Sequence, residues 1–123
     1  MVLKIKLILV LLFSCWSSFA QTRLKSEFYF GNNVGNLRMY YYSPQKIPLV
    51  IVLHGCTQSA QKISDASGWN KLADSLNFMV LYPEQKTINN VGKCFNFFIG
   101  FRAKKDKGEL ASIKEMIDFM VAT

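Results

Sequence analysis

The apolar positions of this chain change period several times, and each change predicts an element. Two β-rich runs, "SEFYF" and "NLRMYYYSP", flank "GNNVGN". Gly and Asn supply the positive φ values that tight turns require, so the pattern predicts an antiparallel hairpin of Glu27–Phe30 with Leu37–Tyr42. The next stretch, "PLVIVLHGCTQSAQ", is apolar at every position from Leu49 to Leu53 and then stops at His-Gly-Cys-Thr. Strict alternation marks a strand with one wet face, whereas a continuous run marks one covered on both faces, as in parallel sheets flanked by helices. "FMVLYP", Phe78 to Pro83, has the same character. Between the two runs, Trp69, Leu72, Ala73 and Leu76 recur at helical spacing and predict a helix over Ser67 to Leu76. Strand, helix and strand in that order make a βαβ crossover with parallel central strands.

Beyond Pro83 the chain is irregular through "EQKTINNVGKCFNFFIGFRAKKDKG". A connection of this length inside a compact domain is usually functional, and its aromatics Phe95, Phe97, Phe98 and Phe101 predict that part of it packs. A helix follows from Gly108 to the end at Thr123. Leu110, Ile113, Met116, Ile117, Met120 and Val121 mark its buried stripe, and Glu109 sits at its positive N-terminal end. The fold class is therefore α/β, a hairpin followed by parallel strands and helices. A doubly wound sheet commonly continues with another strand after such a helix, so the sequence reads as the first half of a domain, its sheet incomplete.

Length and charge refine this picture. The 123 residues suffice for one modest domain. Residues 1–20 read as an address: Lys4 and Lys6 form a positive start, Leu7 to Phe13 is an apolar run, and Ser18 and Ala20 have the spacing that signal peptidase prefers. Cleavage before Gln21 predicts export, to the periplasm or outside the cell, with no stable membrane span left. An uncleaved anchor helix and a lipoprotein modified at Cys15 are the alternatives. Loss of Lys4 and Lys6 lowers the formal net charge from +7 to +5. Lys104, Lys105 and Lys107, broken by Asp106, read as a solvated loop. No stacking aromatics accompany them, so nucleic acid is not an expected partner. Cys56 and Cys94 remain as an even pair in an exported chain, where disulfides persist, and are predicted to bond to each other; two reduced, buried cysteines are the alternative. One histidine and such a pair make a poor metal site, and no cofactor is implied.

The chemistry concentrates at "LHGCT". In α/β sheets, ligands bind beyond the carboxyl ends of the strands. Gly55 there lets the backbone turn and brings N–H groups near a substrate. In ester hydrolysis such a loop forms the oxyanion hole, where the loss of one donor costs on the order of 3 kcal/mol in barrier. Gly55, Cys56 and Thr57 occupy that place.

With "PLVIVLHGCTQSA", "SGWNKLAD", "FMVLYPEQ", "CFNFF" and "KGELASIKEMIDFMV" in this order, Met39 to Val121 resembles the polyhydroxybutyrate (PHB) depolymerase family of secreted α/β-hydrolase esterases, a group that includes feruloyl and acetylxylan esterases. The resemblance implies cleavage of carboxylic esters, polyester or plant cell-wall ester, by a Ser-Asp-His triad. It implies that the Cys56 backbone N–H is an oxyanion donor, with Thr57 a second candidate. The Cys56–Cys94 pairing would tie "CFNFF" to the floor of the site. Phe95, Asn96 and Phe97 would be candidates for a substrate wall, although such aromatics are more often core. Phe97 stands where the family often has Trp.

The family's nucleophile lies in a G-x-S-x-G elbow, and no G-x-S-x-G occurs in these residues. The triad is expected downstream of Thr123. A Cys-His catalyst from His54 and Cys56 would need a free thiolate and an orienting carboxylate, so His54 and Gly55 are expected to be structural, His54 hydrogen-bonded beneath the loop. Asp65 and Glu84 are expected to be solvated surface residues. Residues 21–123 are thus read as the N-terminal part of a secreted serine esterase domain, inactive alone; the alternative is a non-catalytic truncated remnant or a binding-only product. One prediction is direct: Cys56 and Cys94 resist alkylation until the chain is reduced. Mass spectrometry before and after reduction checks this, and two freely alkylated thiols in native exported material would defeat it.

Overall fold

The computed structural model describes residues 23–44, 48–100 and 104–122. The expected leader and Phe101 lie outside them. Four strands, β1 (Lys25–Glu27), β2 (Arg38–Tyr42), β3 (Leu49–Ile51) and β4 (Met79–Glu84), form one sheet in the order β1-β2-β4-β3. β2 is antiparallel to β1 and β4, and β3 runs parallel to β4. Helices α1 (Ala60–Ser67) and α2 (Trp69–Leu76) form the crossover between β3 and β4, and α3 (Gly108–Ala122) follows. This is the α/β arrangement that the apolar runs predict.

Side chains alternate across the sheet and build a core on each face. Met39, Met79 and Leu81 join Phe30, Leu37, Phe95, Met116 and Met120 in the core on the α3 side. Val80 and Tyr82 join Ala60, Ala73 and Phe78 in the core on the side of α1 and α2. β4 lies between neighbours in the sheet and is buried at all six positions. Its continuous apolar run is therefore read correctly. β3 is different: it ends the described sheet, and although Leu49 packs against the core on the α3 side, Ile51 and Leu53 beyond it are 41% and 48% exposed. The expectation that it is covered on both faces is corrected accordingly.

Three other expectations shift. The first strand lies earlier, because the Glu27 carboxylate accepts from Phe28 N–H at 2.7 Å and Tyr29 N–H at 2.8 Å and turns the chain out of the ladder. The predicted helix is present as α2, starting at Trp69, and a further helix, α1, precedes it. Ser59 caps α1, its Oγ accepting from Lys62 N–H at 3.2 Å, and Gly68 at φ 75 breaks the path between α1 and α2. On α2, Leu72 and Leu76 face outward while Asn70 and Ala73 are buried. Asn70 is satisfied there: it donates to Ser64 Oγ at 2.7 Å and accepts from the Tyr82 hydroxyl at 2.8 Å.

On α3, Met116 and Met120 are buried, Ile113 and Ile117 pack against the core, and Leu110 and Val121 are exposed. Beside this stripe runs a polar one. The Glu109 carboxylate accepts from Asn96 N–H and Asn96 Nδ2, both at 2.7 Å, and from Gln85 Nε2. Ser112 Oγ accepts from Gly35 N–H at 2.8 Å. Glu115 accepts from Asn32 N–H at 3.1 Å and Asn33 N–H at 2.7 Å. Residues three apart share a face, so one helix holds the turn after β1 and the loop after β4. The approach is close: a Cβ at Gly35 would lie 2.7 Å from the Gly108 carbonyl oxygen. No helix among the described residues is long and apolar enough to cross a membrane.

Two predictions follow from these buried polar contacts. Glu109→Ala strands two donors of Asn96 and one of Gln85, and is expected to cost on the order of 2–4 kcal/mol. Glu115→Ala, whose partners are more exposed, should cost less; equal small losses in urea midpoint would contradict this. Burial disfavours the Tyr82 phenolate and pushes its pKa from 10.0 up to about 12. Between those values the unfolded chain releases the proton and the folded chain keeps it, so stability falls as pH rises through the window. Tyr82→Phe should flatten that fall, leaving a residual slope from Tyr42, whose pKa is also raised by its hydrogen bond to Asp74.

Candidate active site

The ladder of β3 closes as Val52 N–H donates to Leu81 O at 2.9 Å, and the chain then turns over the carboxyl end of the sheet. His54 is buried at this turn, 4% exposed. Its Nε2 accepts from Gln85 N–H at 3.0 Å. A backbone N–H can only donate, so the ring proton sits on Nδ1, which lies 2.7 Å from Gly55 O and donates to it. The ring also packs on Phe95, with centroids 5.0 Å apart. Both nitrogens are occupied. Cys56 is bonded to Cys94 in a disulfide, their Cα atoms 4.3 Å apart. A Cys-His catalyst has neither thiolate nor base here.

The amide groups of the loop divide into two sets. Gly55 N–H donates to Gln58 Oε1 at 2.8 Å, Thr57 N–H to Gly92 O at 2.7 Å, and Gln58 N–H back to Gly55 O at 3.2 Å. Cys56 N–H has no acceptor among the described residues. Of the two candidate donors, Thr57 is therefore committed to the turn at Gly92, and Cys56 N–H alone is left unpaired. Thr57 achieves this at φ 63, a left-handed conformation unfavourable for a β-branched residue, and its hydroxyl donates to Cys56 O at 2.6 Å. Two ties thus bind the loop to residues 92–94, one covalent and one through Thr57.

Phe95, Asn96 and Phe97 border a small apolar cleft with Leu53, Leu110 and Ile113. Phe95 belongs to the core and Asn96 is buried against Glu109, so of the three only Phe97, 77% exposed, projects outward; Phe98 meets it edge-on. Asp65 is exposed as expected. Glu84 is not: it is 5% exposed, accepts from Ala60 N–H at 2.8 Å at the start of α1, and meets Arg38 at 3.3 Å and Lys93 at 3.8 Å. It is buried because it serves the positive end of α1. Sequence reasoning also misses Gln58 and Gln85. Gln58, a polar side chain three residues after Gly55, carries a weak local signal; Gln85 acts through its backbone and carries none.

A sequence model described as Esterase PHB depolymerase matches residues 40–123. Poly(3-hydroxyalkanoate) depolymerase C of Paucimonas lemoignei is 42% identical over 118 residues, covering 93% of this chain and 28% of that enzyme. Acetylxylan esterase A of Aspergillus oryzae is 36% identical over 59 residues, 45% of this chain and 19% of that one. Feruloyl esterase B of Talaromyces funiculosus is 26% identical over 99 residues, 76% of this chain and 27% of that one. The chain therefore spans under a third of the length of these relatives. Among solved structures, an acetyl xylan esterase from Aspergillus awamori superposes with a TM-score of 0.66 at 22% identity, over 81% of this chain and 37% of that one, which shows a shared α/β-hydrolase fold. On the family match and the depolymerase identity together, the chain belongs to the Esterase PHB depolymerase family of carboxylic ester hydrolases.

Proposed function

We propose that these residues form the oxyanion arm of an exported serine esterase, with Cys56 N–H as one of the donors to the negative oxygen of the tetrahedral intermediate. The observation that carries the reading is the unpaired Cys56 N–H at the carboxyl end of β3, flanked by the amides of Gly55, Thr57 and Gln58, which all have acceptors. A donor held in place before reaction needs no reorganisation as charge develops, and each is worth on the order of 3 kcal/mol in barrier. The acyl groups of the named relatives, hydroxyalkanoate, acetyl and feruloyl, make a carboxylic ester the substrate class. In this reading residues 1–20 direct export, and residues 21–123 belong to one hydrolase domain. Phe97 and Phe98 offer apolar contact to the substrate.

The nucleophile and base are not supplied by these residues. No G-x-S-x-G elbow occurs, and His54, the sole histidine, has both nitrogens engaged. The chain alone is expected to hydrolyse p-nitrophenyl acetate no faster than a heat-treated control. A rate abolished by a serine-directed phosphonate would overturn that. The oxyanion role has its own test on the ¹⁵N-labelled chain, with acetate as the anionic probe. The Cys56 amide proton should move downfield while those of Gly55, Thr57 and Gln58 stay in place. A Cys56 resonance indifferent to acetate would sink the oxyanion reading.

A further inference from the structure

We infer that His54 is a positioning residue: through Nδ1–H it fixes the direction in which the Cys56 N–H points. This deepens the function proposed above and rests on it for its catalytic meaning. The argument begins with one peptide group. Gly55 C=O and Cys56 N–H belong to the same planar trans unit, so the two point in opposite directions. Whatever holds the oxygen aims the hydrogen. Gly55 O is held by two donors, His54 Nδ1 at 2.7 Å and Gln58 N–H at 3.2 Å. The shorter comes from the buried ring.

The ring in turn has one orientation available. Gln85 N–H, at the end of the buried central strand, donates to Nε2 at 3.0 Å. That bond forces the proton onto Nδ1 and turns Nδ1 toward Gly55 O. Phe95 packs against the ring at a centroid distance of 5.0 Å. A line of fixed groups therefore runs from β4 to the unpaired amide: Gln85 N–H, His54 Nε2, His54 Nδ1–H, Gly55 O, Cys56 N–H. The disulfide and Thr57 N–H hold the far side of Cys56 against residues 92–94. Between these anchors, rotation of the Gly55–Cys56 peptide would break the bonds to Gly55 O.

Two isosteric substitutions separate the nitrogens. Asn carries its amide where His carries Nδ1, and so keeps the donor to Gly55 O while losing the acceptor for Gln85. Gln reaches the Nε2 position and does the reverse. The residual dipolar coupling of the Cys56 N–H reads the direction of that bond in a weakly aligned sample. His54→Asn is expected to keep the wild-type coupling, and His54→Gln to lose it, while the couplings of α1 stay unchanged in both. A ring that merely fills space beneath the loop would not distinguish the two variants. Retention of the wild-type value in His54→Gln, or its loss in both variants with α1 intact, overturns the inference. If a variant does not fold, the wild-type ring decides: the ¹⁵N spectrum should show the proton on Nδ1 and a through-hydrogen-bond coupling from Gln85 N–H to Nε2. A proton on Nε2 overturns the proposal outright. Failure of the acetate test with the dipolar result intact would retire the oxyanion reading and leave the aiming of Cys56 by His54 standing.

Discussion

The burial of two polar residues at the end of β4 is the constraint on which the rest of the structure depends. Glu84 and Gln85 are 5% and 0% exposed, at the end of a strand covered on both faces. Groups so placed must find partners, since an unmet buried donor or acceptor costs more than a made bond returns. Glu84 takes the first N–H of α1 together with Arg38 and Lys93. Gln85 takes His54 on its backbone, and its side chain meets Cys94 O, Glu109, Lys86 N–H and Asn89. No buried side-chain polar atom among the described residues is left without a partner. Satisfying this pair locates α1, the loop after β3, the loop after β4 and the start of α3 relative to one strand.

That logic explains what was legible beforehand. Periodicity reports burial of apolar groups, and it locates β2, β3, β4, the crossover helix α2 and α3. It is silent on polar burial, because the partners of Asn70, Glu84 and Ser112 are settled by the fold and not by neighbours in sequence. Hence the sequence pattern marks Glu84 as surface and puts Leu72 and Leu76 on the inward face of α2, where the fold buries Asn70. Periodicity is also blind to sheet order. Leu49–Leu53 and Phe78–Pro83 look alike as strings, yet one lies at the edge of the described sheet and the other at its centre. At the site, the Gly and Cys of "LHGCT" were visible because a tight turn and a covalent tie leave marks in residue type. The commitment of Thr57 N–H to Gly92 left none, since any residue but proline has that group.

The candidate site thus consists chiefly of backbone. Side chains act on it from behind: His54 on Gly55 O, Gln58 on Gly55 N–H, and the half-cystine bridge on Cys56. The left-handed Thr57 belongs to the same economy, a local strain tolerated because it turns one amide away and leaves the preceding one open. A site built this way from backbone is insensitive to the identity of the outward-facing side chains. That fits a family whose named relatives act on hydroxyalkanoate, acetylxylan and feruloyl esters.

The polar stripe Glu109, Ser112 and Glu115 gives α3 a meaning beyond coverage of the sheet. Its partners lie as many as 83 residues away in sequence, in two loops that do not otherwise share a strand. A loop tethered only to its own strand can open by itself. These loops cannot, because undocking the helix would strip acceptors from both at once. The hairpin turn and the segment bearing Cys94 should therefore belong to a single cooperative opening unit, protected from exchange to a common degree and lost together. Order at the loop after β3, though built from a few backbone groups, is then a property of the whole tertiary assembly.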